Sequence, residues 1–280
     1  MITHQSSRQE VFLYQIRQFL QFYAKAVTKY QLHSPYGFEL VNAVLEDDRY
    51  YYAFRDVETV RAKMLESDVV LQVSDFGAGG EQHGASRQKL RDIVRRAAST
   101  PAQGRGLFRL VNLLRPATML EIGTSVGVGA MYLASAARNA RFISLEGCPQ
   151  LSAVARANLE ILALPQPEIV SGPFEKTLLP TLQSLQSIDF VYIDGNHRPG
   201  PTLQYFEACL PYAHNKTVFV FDDAYWSPGM TKAWRAVQQH PGVRFTLDFF
   251  NLSLAFVNPD FREIQHIRAV PACWKPWKFF

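Results

Sequence analysis

From Pro116 onward the chain repeats one unit: a short apolar strand, a turn and a helix. TMLEI (118–122) leads into a glycine-rich turn and the helix GAMYLASAAR. RFISLE (141–146) precedes PQLSAVARANLEIL, EIVS (168–171) precedes EKTLLPTLQSL, and IDFVYID (188–194) precedes PTLQYFEACLPY. KTVFVFDD (216–223) is followed by GMTKAWRAVQQH, and RFTLDFF and LSLAFVN close the series. Strands alternating with crossover helices pair in parallel, because each right-handed crossover returns the chain to the same edge of the sheet. The tight Phe250–Asn251 connection makes the last two strands an antiparallel hairpin. The pattern predicts an α/β fold with a doubly wound, seven-stranded, mostly parallel sheet.

The segment before this repeat reads as helical. Val11, Phe12, Tyr14, Ile16, Phe19, Leu20, Tyr23 and Val27 follow a helical period over residues 9–31. Pro35 and Gly37 in HSPYGFEL read as a break before a helical piece over Phe38–Leu45. Residues 56–66 look helical, 68–74 look like a short strand, and DFGAGGEQHGAS (75–86) reads as a polar loop. Helical patterns then cover roughly 87–98 and 104–114. The expected organisation is a mainly helical extension over 1–104, a catalytic domain over 105–260 and a tail over 261–280.

Composition narrows the function classes. With 48% hydrophobic and 19% charged residues among 280, the chain can bury a substantial core. No apolar run reaches the roughly 20 residues that cross a bilayer, and the first residues lack a signal-peptide pattern. Cys148, Cys209 and Cys273 are too scattered for a disulfide framework or a CxxC metal site, which fits a reducing, cytoplasmic setting. A net charge of +4 is too small an excess to argue for nucleic acid.

Chemistry concentrates at the ends of the strands. LEIGTSVGVG carries Glu121 near a strand end, then Gly123, Gly127 and Gly129 ahead of an apolar helix. In open α/β sheets, ligands bind beyond the carboxyl ends of the strands, where glycine lets backbone come close. The spacing differs from the G-x-G-x-x-G of dinucleotide folds. The next strand ends in Glu146, a carboxylate able to accept hydrogen bonds from both hydroxyls of a ribose. Asp194 ends the fourth strand, and Asp222 and Asp223 end the fifth. All five acids share one edge of the sheet although they lie far apart in sequence.

With these residues in place, the chain resembles the class I S-adenosylmethionine-dependent methyltransferases over about residues 105–257, with their Rossmann-like sheet. The resemblance implies S-adenosylmethionine as cofactor. Glu121, Gly123, Thr124, Ser125 and Gly127 would surround its methionine end, Glu146 and Gly147 its ribose, and Gly172 and Phe174 its adenine, with Asp194 beside them. The glycine loop has no basic residue, as suits a cofactor without phosphate.

The chain is more narrowly similar to O-methyltransferases of the catechol and caffeoyl-coenzyme A type. That similarity implies a small-molecule hydroxyl as acceptor and a divalent cation such as Mg²⁺ held by Asp194, Asp222 and Asp223. Here Asp223 replaces an asparagine and His197 stands where a lysine-bearing segment would follow, so these carboxylates either bind a metal or orient substrate. Asp194, His197 and Asp222 are the candidate catalytic residues. His197 can act as a general base near neutral pH or simply bond a neighbouring carboxylate. Trp226 either walls the pocket or packs on the sheet. The DFGAGG segment is either a cover near the site or a surface turn, and the aromatic tail packs on its own domain or on a partner. A homodimer is left open. The competing readings are an RNA or protein acceptor, a non-catalytic binding module and, more remotely, a dehydrogenase.

Overall fold

A computed structural model describes residues 8–76 and 82–278. Residues 77–81 of the glycine-rich segment, and Phe279 and Phe280 of the tail, lie outside the described residues.

Four helices come first: α1 (Arg8–Lys25), α2 (Pro35–Leu45), α3 (Tyr52–Leu65) and, after a hairpin, α4 (Leu90–Ala97). The hairpin pairs β1 (Val70–Phe76) with β2 (Gln82–Lys89) in antiparallel register. The repeating part then runs α5 (Pro101–Leu114), β3 (Thr118–Ile122), α6 (Val128–Ala136), β4 (Arg141–Glu146), α7 (Pro149–Ile161), β5 (Pro167–Ser171), α8 (Phe174–Leu185), β6 (Ile188–Ile193), α9 (Pro199–Cys209), β7 (Ala213–Asp222), α10 (Pro228–Gln239), β8 (Phe245–Asp248), β9 (Leu252–Phe256) and β10 (Gln265–Arg268).

The large sheet has the order β10-β8-β9-β7-β6-β3-β4-β5. Strands β5, β4, β3, β6 and β7 are parallel, and β9 is antiparallel to both β7 and β8. The order reverses at β3, where the chain leaves to β4 on one side and later returns to β6 on the other. Crevices open at such switch points. The sheet separates two apolar cores. Met119, Phe142, Phe190 and Tyr192 face Tyr132 of α6, Leu107 of α5 and the helices α2–α4. Leu120, Val191 and Phe219 face α8, α9 and α10, with Phe22 of α1 joining that side.

Several local readings change. Residues 75–76 and 82–86, read as loop, and 87–89, read as helical, are strand: QHGASRQK has no apolar alternation, and its ladder with β1 supplies what the pattern lacks. Pro35 starts α2 rather than ending a helix, because a proline at the first helical position loses no needed N–H. Ser34 caps that turn by accepting from the Gly37 N–H at 3.2 Å. The first helix stops at Lys25, short of residue 31. The tail adds an eighth strand, β10, parallel to β8. It is also tied to the first helix: Lys275 donates to the carbonyls of Tyr23 and Ala26, and Tyr23 Oη donates to the Trp274 carbonyl at 2.6 Å.

Candidate active site

At the end of β3 the backbone turns sharply through Gly123, whose φ is +106°. A side chain there would strike the backbone of Asp194 and Gly195 at 2.8 Å, so this turn presses against the end of β6. The same logic applies at Gly129, where a Cβ would stand 2.7 Å from Glu121 Oε1. The glycines therefore make room for a strand end and a buried acid.

Two glutamates anchor this side. Glu121 is 1% exposed and accepts a hydrogen bond from Ser144 Oγ, which in turn lies 2.5 Å from Thr124 Oγ1. Burial pushes its carboxyl up to about 8, the Ser144 bond opposing and Glu146 adding to the rise. Glu146 accepts the N–H of Ser125 at 2.7 Å on Oε2 and the N–H of Cys148 at 2.8 Å on Oε1. Burial pushes it up to about 7, against the pull of these backbone donors and of Gly147. A hollow of about 170 Å³ opens here, with Gly123, Ser125, Glu146, Gly147 and Phe174 on one side and Asp194 and His197 on the other. Its lining holds the carboxylates of Glu146 and Asp194 and no lysine or arginine. Ser74 of β1 borders it as well, so the hairpin stands at its rim.

The second group sits at the ends of β6 and β7. Asp194, Asp222 and Asp223 stand close enough to influence one another's ionisation. Burial and the neighbouring acids raise Asp194 well above the carboxylate range, and burial with Asp223 pushes Asp222 up to about 7. Each of these acids therefore opposes the ionisation of its neighbour. Asp222 Oδ1 also accepts from Gln103 Nε2 at 3.0 Å, and Asp194 Oδ2 from Tyr192 Oη at 3.3 Å. The His197 ring lies between two carboxylates, Nε2 3.9 Å from Asp194 and Nδ1 3.7 Å from Asp223. A second hollow, about 260 Å³, borders Asp223 and is lined by Gln103, Tyr225, Trp226, Phe250 and Asn251. His197 thus stands between a hollow that touches the glycine turn and one walled by aromatic rings. Ser125, Asn196, His197 and Asp223 all have positive φ, an unusual concentration of strained backbone around one crevice.

A family model described as "Methyltransferase domain" matches residues 120–224. The catechol O-methyltransferase of Mycobacterium tuberculosis is 30% identical over 165 residues, which cover 54% of this chain and 73% of that protein. The chain belongs to the class I S-adenosylmethionine-dependent O-methyltransferases. The catechol O-methyltransferase of Niastella koreensis is also 30% identical, over 127 residues; the match takes in 44% of this chain and 57% of that relative's length. Among solved structures, the O-methyltransferase from Bacillus cereus in complex with SAH superposes with a TM-score of 0.51 at 20% identity. The match covers 78% of this chain and 96% of that one. An SAH-bound methyltransferase from Podospora anserina gives 0.55 at 14% identity, over 92% and 100%. Both share the fold.

Within this O-methyltransferase scaffold the expected residues separate into those that reach a hollow and those that do not. Gly123, Ser125, Glu146, Gly147, Phe174, Asp194 and His197 line the first hollow, and Asp223 the second. Glu121 and Thr124 lie beneath the turn in a buried network with Ser144. Gly172 starts the approach to α8, where its N–H donates to the Glu146 carbonyl at 2.9 Å. Gly127 caps α6. Asp222 lies behind Asp223, bonded to Gln103. Among the described residues no group of three His, Cys, Asp or Glu side chains is arranged to hold a metal ion. Asp194, Asp222 and Asp223 are hard oxygen donors of the kind that suits Mg²⁺, and one oxygen of Asp222 already accepts from Gln103.

Gln103 was missed by sequence reasoning, although its signal was present. T-P-A-Q is a capping box: Thr100 N–H donates to Gln103 Oε1 at 3.0 Å and Gln103 N–H to Thr100 Oγ1 at 3.3 Å. One amide thus caps α5 with its oxygen and holds Asp222 with its nitrogen. Ser144 gave only the weak signal of a polar residue inside an apolar strand.

Proposed function

We propose that the chain methylates a hydroxyl of a small aromatic molecule using S-adenosylmethionine. The observation that carries this reading is the make-up of the first hollow: two acidic side chains, and no lysine or arginine among its described lining residues, beside a close backbone turn. Such a lining disfavours a phosphate-bearing dinucleotide and favours a ligand that is cationic and free of phosphate. Glu146 would accept the ribose hydroxyls, Phe174 would flank the adenine, and the backbone of Gly123–Ser125 would meet the methionine end. When bound, the cofactor supplies a methyl group already activated on a sulfonium. The protein's share is placement and proton handling. The acceptor enters the second hollow between Trp226 and Phe250, its hydroxyl directed by Asp223, and His197 takes the hydroxyl proton. Gln15 of α1 and Thr100 and Gln103 at the start of α5 border the same hollow, so the helices before β3 help to shape the acceptor site. The catechol acted on by the relatives named above is the first acceptor to try.

The test is calorimetric titration with S-adenosylhomocysteine, with and without Mg²⁺, followed by a panel of phenolic acceptors. Micromolar binding and methyl transfer are expected, with His197→Ala lowering kcat about 100-fold or more. No binding up to millimolar ligand would overturn the reading. Divalent-cation assistance is the finer part of the proposal. A rise in affinity or turnover with Mg²⁺ that Asp222→Ala removes would establish it, and turnover indifferent to EDTA would dismiss it.

A further inference from the structure

A third hollow lies away from this crevice, between α1 and α10. It encloses about 350 Å³, within the size range of small-molecule sites. Its charge is opposite to that of the first hollow. Lys25, Arg235 and Arg268 line it, together with the amides of Gln18, Gln21 and Gln238, and no carboxylate does. Lys25 and Arg268 also line an adjoining hollow of about 570 Å³ that contains His33 and His266, so the basic surface continues toward the edge strand β10.

Among the described residues, the lining offers these charges no acid of its own. Behind the lining residues Tyr225 and Trp234 lies Asp248, fully buried, which accepts from Tyr225 Oη, from Trp234 Nε1 at 3.2 Å and from the Phe250 N–H at 2.9 Å. Arg268 is the cation that acts on it and also bonds Tyr225. Lys25 and Arg235 face the hollow with no acid among its described lining residues. The end of α1 would ordinarily repel an anion through its exposed carbonyls. Here Lys275, 2% exposed, donates to the Tyr23 and Ala26 carbonyls and covers that end with a further positive charge. Lys25 and Arg235 are exposed and Arg268 is half-buried, so solvent softens their mutual repulsion and an anion entering between them relieves what remains.

We propose that this hollow binds a small molecule bearing a diphosphate, with Lys25 and Arg235 on its two phosphates and Arg268 at the inner wall. The Tyr225 ring separates it from the acceptor hollow, so it is a second site and not an arm of the first. The experiment is calorimetry with inorganic pyrophosphate and with inorganic phosphate at matched ionic strength, repeated on protein saturated with S-adenosylhomocysteine. Pyrophosphate should bind one to one and at least about tenfold more tightly than phosphate, with or without the second ligand. Lys25→Gln and Arg235→Gln should each weaken it about tenfold or more, Arg235→Lys should retain most of the affinity, and Arg138→Gln, on an exposed site elsewhere, should change nothing. Circular dichroism checks that the variants fold. Absence of pyrophosphate binding at millimolar concentration, indifference to both Gln variants, or competition by S-adenosylhomocysteine would each overturn the proposal.

Discussion

The ends of β3 and β4 and the ends of β6 and β7 both present buried acids, yet they treat them differently. Glu121 and Glu146 are surrounded by fixed donors: a serine hydroxyl for one, backbone N–H groups for the other. Asp194, Asp222 and Asp223 mostly face one another, with one glutamine amide, one tyrosine hydroxyl and one imidazole at their margins. A carboxylate held by backbone donors has a fixed orientation whatever is bound. A carboxylate whose ionisation is opposed by its neighbours changes its charge when anything cationic arrives. The first region is built to hold a ligand in place and the second to respond to one.

The comparison can be broken in four places. The largest expected effect is at the turn that joins the two regions. Gly123→Ala forces a Cβ against the Asp194 backbone at positive φ, and urea unfolding should show about 3 kcal/mol lost. A loss below about 1 kcal/mol would mean the two strand ends are not rigidly pressed together. Next, Glu146→Ala should cost about 1.5–3 kcal/mol in S-adenosylhomocysteine binding, roughly tenfold or more in Kd. Unchanged affinity would remove Glu146 from the cofactor site.

The third place is the pH dependence of stability. Glu121, Glu146 and Asp222 are raised from ordinary carboxyl values to about 8, 7 and 7. Between their unfolded and folded values the native state holds more protons than the unfolded chain, so stability falls as pH rises. Tm should therefore decline from pH 5 to pH 8. Asp222→Asn should flatten the slope by removing one titrating member, and a slope that stays the same would mean the aspartates are neutralised in some other way. The smallest effect is expected from Gln103→Ala, which loses a cap and one donor to Asp222; chemical denaturation should show about 1–2 kcal/mol. No loss at all would show that the second region does not depend on α5.

How legible these regions were follows the same division. Ser125 lies inside the glycine motif and Cys148 two residues beyond Glu146, so the partners of Glu146 belong to the motifs themselves and local pattern reveals the site. The aspartates were visible as strand ends, but their state depends on Gln103, Tyr192 and His197, contributed by separate elements that only tertiary packing brings together. The strands of the sheet core were readable because burial on both faces demands unbroken apolar runs. β2 and β10 were not, since QHGASRQK and QHIR are polar segments held by backbone pairing, which leaves little trace in side-chain chemistry.

The clasp between Lys275 and the end of α1 has a consequence for the order in which the molecule is made. Synthesis delivers α1 before the sheet, yet the groups that finish its last turn, together with the Val27–Ala269 bridge and the bond from the Ala272 N–H to Glu46, arrive some 250 residues later. On the ribosome α1 must therefore wait, its Phe22 face uncovered, while the sheet assembles behind it. Docking of this helix is a late event that registers completion of the far edge of the sheet. A nascent chain stalled before β10 should expose α1 to protease even when the glycine turn is already formed.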